Sequence, residues 1–486
     1  MTTDKNGPGK IWARGNKFFS ALLQLSVDDR KDFLLYLQSP FFGRSKVNEA
    51  LTTEFIAQMK KGNERPDKEA AWKAILPGKP YDDQVFRKHC SNAFLQLQLF
   101  LLHHDIRNNP EHYEIDMLEL AVRKHIQPLQ SSLFKKAEQN LSKSFGAPKR
   151  FFKRYVYETQ RSIVDISDEN KVGQKLNFEA ISESLDIHYV VEKLKLLSIA
   201  NSQKKVATHD YHFSCVEEVI EWAKSFVSPQ NPEVALYLYV LLMQTEPNNP
   251  EHFQQLKNYL LEHGAQINQG EALNLFDHAI NYCVGQINLG RSAFRQEYMD
   301  LANFALENGI LFTDNQMSSG HYINIAAAVL SMGDIAWTER FIEDYKAYLP
   351  EPSRENIYRF NLARLRRFQG RYGDVLELLR HVQYENTIQA LLGKMLMIIT
   401  YYELREFDAL HNFLDTFQTF LRRQEKLPEA RKKGFLNFIK YARRLAQMRQ
   451  FSAAEREKLR AQIEKNKSQI ANAAWLLSKL GASQTQ

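Results

Sequence analysis

The chain has 486 residues, 44% of them hydrophobic and 25% charged. That is enough apolar material for several cores, and too ordinary a charge content for a disordered chain. A net charge of +7 is too small by itself to argue for nucleic acid. Three widely spaced cysteines, Cys90, Cys215 and Cys283, argue against a disulfide framework or a thiolate zinc site and for a reducing compartment.

The N-terminus MTTDKNGPGK is polar, and no apolar h-region follows it. No window near ~20 apolar residues exists, so no membrane span is expected and the cytoplasm is the expected compartment. Helical periodicity dominates from there on. Strand-like alternation closed by Asn-Gly or Asp-Gly turns is missing. One helix-turn unit per ~20–25 residues predicts an all-α protein of roughly 18–22 helices.

The first strong local signal is YLQSPFFGRSK, Tyr36 to Lys46. Ser26 and Asp29 start the preceding helix as a capping box. Phe33, Leu34 and Leu37 give it an apolar stripe, and Pro40 stops it. Ser45 can cap the next helix. Phe41 and Phe42 are then expected inside the corner between the two helices; exposed, they would instead be a partner hook.

The next unit, Asp67 to Leu102, holds a short helix, a Pro/Gly turn and a long helix from about Gln84 to His104. Phe86, Cys90, Ala93, Phe94 and Leu97 recur there at helical spacing and predict a buried face. Trp72, Leu76 and Pro77 resemble the turn between the second and third helices of the winged-helix domain of bacterial transcriptional activators. That resemblance implies DNA binding through the long helix. Arg87 and Lys88 are the obvious cations on its outer face, and no β-wing pattern follows Leu102. NNPEH, Asn108 to His112, marks the first domain boundary.

Helices with short breaks follow. PKRFFKRYVYETQR, Pro148 to Arg161, interleaves Lys149, Arg150, Lys153 and Arg154 with aromatics, a pattern that suits stacking on single-stranded nucleic acid. The stripe Phe152, Tyr155, Val156, Thr159 and Ile163 predicts core packing instead. THDYHFSC gathers His209, Asp210, His212 and Cys215, all metal-ligand types. Their spacing drifts around a helix and no fourth ligand is in view. A helix capped by Asp210 with Cys215 buried is the expectation, and no metal or other cofactor is expected.

A degenerate repeat emerges in the second half. YINIAAAVLSMGDIAWTERFIEDYKAYLP and YRFNLARLRRFQGRYGDVLELLRHV each pair two apolar helices across a glycine. Gly333 and Gly370 are 37 residues apart, and Arg405 takes the same place 35 residues later. Ile325, Ala326, Gly333, Ile335 and Pro350 in one copy, and Leu362, Ala363, Gly370 and Tyr372 in the next, resemble the tetratricopeptide (TPR) repeat family, whose period is about 34 residues. Thr338, Val375 and Leu410 stand where that family has an alanine. The resemblance covers Asn303 to Arg449 and implies stacked helix pairs with a concave binding surface.

Leu421 to Gln450 carries ten basic residues against two acidic ones. Phe435, Ile439, Ala442 and Leu445 make a buried stripe, while Lys433, Lys440 and Arg444 line another face. Arg422, Arg423, Lys433, Lys440, Arg443 and Arg444 are the candidate partner-binding residues; otherwise the stripe is a solvated face.

The expected organisation is a helical N-terminal domain over 1–112 and irregular helical hairpins over 113–300. A right-handed α-solenoid of degenerate TPR-like hairpins follows over 301–486, with basic C-terminal helices. No Walker loop, dinucleotide fingerprint, H-E-x-x-H or G-x-S-x-G occurs. The expected function is a non-enzymatic scaffold for a partner protein or acidic peptide. The alternative is a DNA-binding regulator with a helical-repeat sensor domain.

Overall fold

The computed structural model describes residues 16–42, 45–143, 149–204, 211–384, 387–424, 427–447 and 452–481. These residues form 23 α-helices and one minute hairpin, so the protein is all-α and helical-repeat-like. The chain divides into two compact units. One holds Met1–Ser144 and Phe151–Ser184, the other Phe145–Arg150 and Leu185–Gln486.

The first unit opens with α1 (Lys17–Gln24), α2 (Val27–Gln38), α3 (Lys46–Lys60), α4 (Lys68–Ile75) and α5 (Asp83–Asn108). Asn16, Ser26, Ser45, Asp67 and Asp82 cap them in turn by accepting main-chain N–H groups. Each cap contributes roughly 1 kcal/mol. The Ser26–Asp29 capping box forms as the sequence indicates. Between the helices lies a core of Phe18, Phe19, Phe33, Phe55, Phe86 and Phe100. The buried Trp72 indole donates to the Lys79 carbonyl at 2.8 Å, closing the Pro/Gly turn.

At the corner the two phenylalanines part company. Pro40–Phe42 is a 3-10 turn. Phe42 is half-buried and stacks on Tyr36, with ring centres 4.4 Å apart. Phe41 is 87% exposed, which corrects the expectation that both are packed. A single tight turn points successive side chains in different directions. Gly43 lies outside the described residues.

Next come α6 (Glu114–Arg123), α7 (Gln127–Lys143) and α8 (Arg150–Ile166), around a small core that includes Leu118, Ala137 and Tyr157. On α8 the expected stripe is wrong. Phe152 and Ile163 are exposed, while Tyr157 and Glu158 are buried. The rotation follows from Glu158, which accepts from Asn177 Nδ2 at 2.6 Å and pairs with Arg154 at 2.5 Å. Arg154 and Arg161 thus flank a buried carboxylate.

α9 (Phe178–Lys204) carries the chain into the second unit, followed by α10 (Val216–Phe226), α11 (Pro232–Thr245), α12 (Pro250–His263), α13 (Gln269–Asn288) and α14 (Phe294–Glu307). Prolines open α11 and α12, where no N–H is needed. Cys215 is exposed and is itself the left-handed residue before α10, so the expectation of a buried Cys215 behind an Asp210 cap fails. His209 and Asp210 lie outside the described residues.

A two-residue hairpin, β1 (Phe312–Thr313) and β2 (Gln316–Met317), then turns through Asp314 and Asn315, both at positive φ. That is the type I′ arrangement in which Asn and Asp are tolerated. Three helix pairs follow: α15 (Ser319–Met332) with α16 (Ile335–Asp344), α17 (Arg354–Phe368) with α18 (Tyr372–Arg380), and α19 (Thr387–Glu403) with α20 (Phe407–Arg422). The joints are alike. Gly333, Gly370 and Arg405 all adopt the left-handed conformation, at φ 93°, 74° and 61°. Five residues beyond each, Thr338, Val375 and Leu410 are fully buried. The chain ends in α21 (Glu429–Ala446), α22 (Ala453–Lys465) and α23 (Ala473–Gly481). From α10 to α23 the principal helix contacts join each helix to its next or next-but-one neighbour.

Candidate functional site

The last four helices share one core. Phe417 of α20 meets Phe435 of α21 edge-on at 6.1 Å, and Phe438 of α21 lies 5.9 Å from the Trp475 ring of α23. The Trp475 indole donates to Glu403 of α19 at 3.0 Å, and Lys479 pairs with the same carboxylate. The Ala471 N–H donates to the Gly434 carbonyl at 3.0 Å. This packing fixes which face of α21 looks outward.

Phe435, Phe438, Ile439, Ala442 and Leu445 face the core. Lys433, Lys440 and Arg444 are exposed. At 100° per residue they fall within ~40° of one line, opposite the buried stripe. The row runs ~16 Å along the helix, at 1.5 Å per residue. No carboxylate among the described residues reaches ion-pair distance of these three. Lys440 Nζ lies 5.6 Å from the Tyr441 ring centre, and Arg444 Nη1 donates to the neutral amide of Gln462 at 2.8 Å.

Arg443 stands apart from the row. It is half-buried and donates to Asp415 Oδ1 of α20 at 2.6 Å, so it fastens α20 to α21. Arg422 and Arg423 are exposed at the end of α20, where cations complement the helix C-terminus. Of the other cations in the run, Lys426 and Arg449 lie outside the described residues. The structure therefore keeps three of the six candidates in one solvent-facing row, holds two at a helix end and commits one to packing.

A groove between α17 and α18 carries Arg359, Arg366 and Arg371, but Arg359 pairs with Glu355 at 2.7 Å, Arg366 with Glu339 at 3.1 Å and Arg371 with Asp374 at 2.5 Å. Among the described residues no three His, Cys, Asp or Glu side chains are gathered as metal ligands. No described helix is long and apolar enough to cross a membrane.

Three cations escape the sequence reading. Arg364 and Arg367 on α17 and Lys394 on α19 are half-buried. Arg364 Nη1 touches the Ile323 carbonyl at 3.5 Å and lies 5.8 Å from the Phe360 ring centre. Arg367 lies 5.2 Å from the Phe368 ring centre, and Lys394 5.0 Å from that of Phe420. None has a carboxylate partner among the described residues. Burial pulls Arg364 down to about 10 and also lowers Arg367 and Lys394. The only sequence signal for the two arginines is their place in the repeat, which becomes visible when the three hairpins are laid in register.

No known protein-family model matches this chain, and no curated protein or solved structure is similar enough to it to carry an assignment.

Proposed function

We propose that the protein is a non-enzymatic cytoplasmic scaffold that holds an acidic partner protein against the basic row of α21. The observation carrying this reading is that Lys433, Lys440 and Arg444 face solvent in one line without carboxylate partners among the described residues. Arg443, by contrast, is paired with Asp415, and Arg422 and Arg423 lie at a helix end. A row ~16 Å long matches an extended acidic segment of about five residues, at ~3.3 Å per residue.

The second unit is read as a right-handed solenoid of TPR-like hairpins. Support comes from the three left-handed joints in one register, from the buried residue five places beyond each, and from principal helix contacts that join next or next-but-one neighbours. Such an arrangement presents a long surface rather than a cleft, as a scaffold requires.

The test is direct. A fluorescent glutamate-rich peptide should bind the full chain, and binding should weaken as salt rises, because exposed charges are screened over ~8 Å near physiological ionic strength. Lys433→Glu, Lys440→Glu and Arg444→Glu together should weaken it by about 10- to 100-fold, taking each exposed pair at ~0.5–1 kcal/mol. Helicity should stay unchanged. An affinity untouched by the triple reversal would leave the row a solvated face. Tighter binding to duplex DNA, with a log–log salt slope near −0.9 per phosphate, would favour the DNA-regulator reading. Against that reading, Arg87 on α5 is already paired with Asp83 at 2.6 Å, and Leu95, Leu99 and Leu102 stand exposed farther along that helix.

A further inference from the structure

The hairpins α15–α16, α17–α18 and α19–α20 share a register fixed by Gly333, Gly370 and Arg405. Six and three residues before these joints stand Ala327 and Leu330 in α15, Arg364 and Arg367 in α17, and Ile399 and Tyr402 in α19. Leu330 and Ile399 are buried. The middle hairpin thus puts two guanidiniums where its neighbours make apolar contact.

Arginine stays protonated at neutral pH even in this setting. The two side chains are three residues apart on one helix, which makes them neighbours on its surface. Burial lowers the preference of both for charge, and Arg367 lowers that of Arg364 further, while Tyr372 and Glu403 act the other way on Arg367. Arg364 has one long contact to a main-chain carbonyl, and Arg367 lies beside an aromatic ring and within the field of Glu403, a carboxylate already paired with Lys479. Both remain in touch with solvent, so a ligand can reach them. Replacing unpaired charges at such positions by apolar groups ordinarily stabilises a fold. Their presence calls for an anion.

We propose that Arg364 and Arg367 form an oxyanion-binding site on α17, and that its ligand is a phosphate group, free or esterified. Each guanidinium offers a planar fork of donors that matches phosphate geometry. Two adjacent positive charges match a group carrying about −1.5 to −2 at neutral pH, whereas a single carboxylate would leave one charge unanswered. The buried Phe360 ring beside Arg364 is an apolar wall that strengthens the attraction by excluding water. The site lies on α17 and does not depend on the α21 row.

Thermal unfolding of the full chain, titrated with inorganic phosphate at constant ionic strength, tests the site. The wild type should show a saturable rise in Tm, as ligand binding to the native state requires. Arg364→Met and Arg367→Met should each weaken apparent phosphate affinity by about 10-fold or more, while raising Tm in the absence of phosphate. Arg364→Lys keeps the charge but loses the fork, and should fall between. Lys433→Glu with Lys440→Glu should leave the phosphate response intact. A phosphoserine peptide that binds more tightly than inorganic phosphate assigns the esterified source, and the reverse order assigns the free anion. Absence of a phosphate response in the wild type, or the same response in the double Met variant, overturns the proposal. So does a response to a glutamate peptide but not to phosphate. Should a Met variant not fold, phosphorus NMR line broadening decides between wild type and Arg364→Lys: equal broadening, or none with the wild type, rejects the site.

Discussion

In the α1–α5 bundle, six phenylalanines close an aromatic core, and three cations outside it have carboxylate partners. Lys31 meets Asp28 at 2.8 Å, while Lys68 and Arg87 share Asp83. In the α15–α20 hairpins, Arg366 and Arg371 are paired in the same manner, but Arg364, Arg367 and Lys394 are drawn half into the structure with no carboxylate at ion-pair distance among the described residues. The difference is one of desolvation. An exposed pair contributes about 0–1 kcal/mol and costs little to keep hydrated. A half-buried cation without a partner loses hydration and recovers nothing. A fold selected only for stability would fill those places as α15 and α19 do. In an all-helical chain without a catalytic motif, the more telling signal is a charge that breaks a repeat, rather than a run of charge on a wet face.

The largest expected effects lie in the bundle, and they test whether its stability is an aromatic matter. Phe33 is fully buried, with ring centres 6.2 Å from Phe18 and 5.3 Å from Phe100. Phe33→Ala should cost ~3–5 kcal/mol in urea unfolding. Phe42→Ala, removing a half-buried ring stacked on Tyr36, should cost about 1–2 kcal/mol. Phe41→Ala should change stability by no more than ~0.5 kcal/mol. A cost at Phe41 equal to that at Phe33 would contradict the observed split of the corner.

The hairpins should respond more mildly, through backbone conformation rather than burial. An L-residue pays roughly 1–2 kcal/mol to sit in the left-handed region. Gly333→Ala and Gly370→Ala should each lose about 1 kcal/mol or slightly more, since open space surrounds both positions and only backbone strain acts. Arg405 already bears that strain at φ 61°, so Arg405→Gly should gain about 0.5–1 kcal/mol. Opposite signs at equivalent joints would be hard to explain without a true repeat. A loss at Arg405→Gly would show that its side chain contributes more than the turn costs.

Much of this could be read from the sequence, for identifiable reasons. Ser26 and Ser45 cap because local hydrogen bonding is encoded within three residues. The outward face of α21 follows from helical spacing, as does the shared joint at Gly333, Gly370 and Arg405. What could not be read depends on partners distant in sequence. On α8, Asn177 lies 19 residues beyond Glu158 and turns that helix to bury it. Arg443 counts by sequence among the candidate partner-binding residues, yet Asp415, 28 residues earlier, holds it. Phe41 and Phe42 differ because a 3-10 turn has no periodicity from which to infer burial. Arg364 and Arg367 sit in ARLRRF, which reads locally as a solvated helix end. Only the neighbouring copies reveal that their positions face inward.

The smallest effect expected is a pH dependence at the entrance to the hairpins. His321, on the first turn of α15, faces Asp277 of α13, with Nε2 3.1 Å from Oδ1, and its Nδ1 lies 2.6 Å from the hydroxyl of the capping Ser318. The hydrogen bond to Asp277 raises its pKa above the usual histidine range; burial opposes this, and the carboxylate's charge adds to the rise. Because the folded value exceeds the unfolded one, near 6.5, the protonated pair stabilises the native state fully below about pH 6.5. That contribution fades as pH climbs through the folded value, when the imidazole loses its charge. Asp277→Asn removes the charge partner. The stability gap between wild type and this variant should therefore be widest in mild acid and narrow toward alkaline pH. Urea unfolding of both proteins across that range measures it. The opposite trend, a gap that widens as pH rises, would mean that the neutral imidazole is the form this contact prefers. The contact would then resemble the tie at the corner of the bundle, where Tyr36 and His103 meet at 3.4 Å without a carboxylate between them.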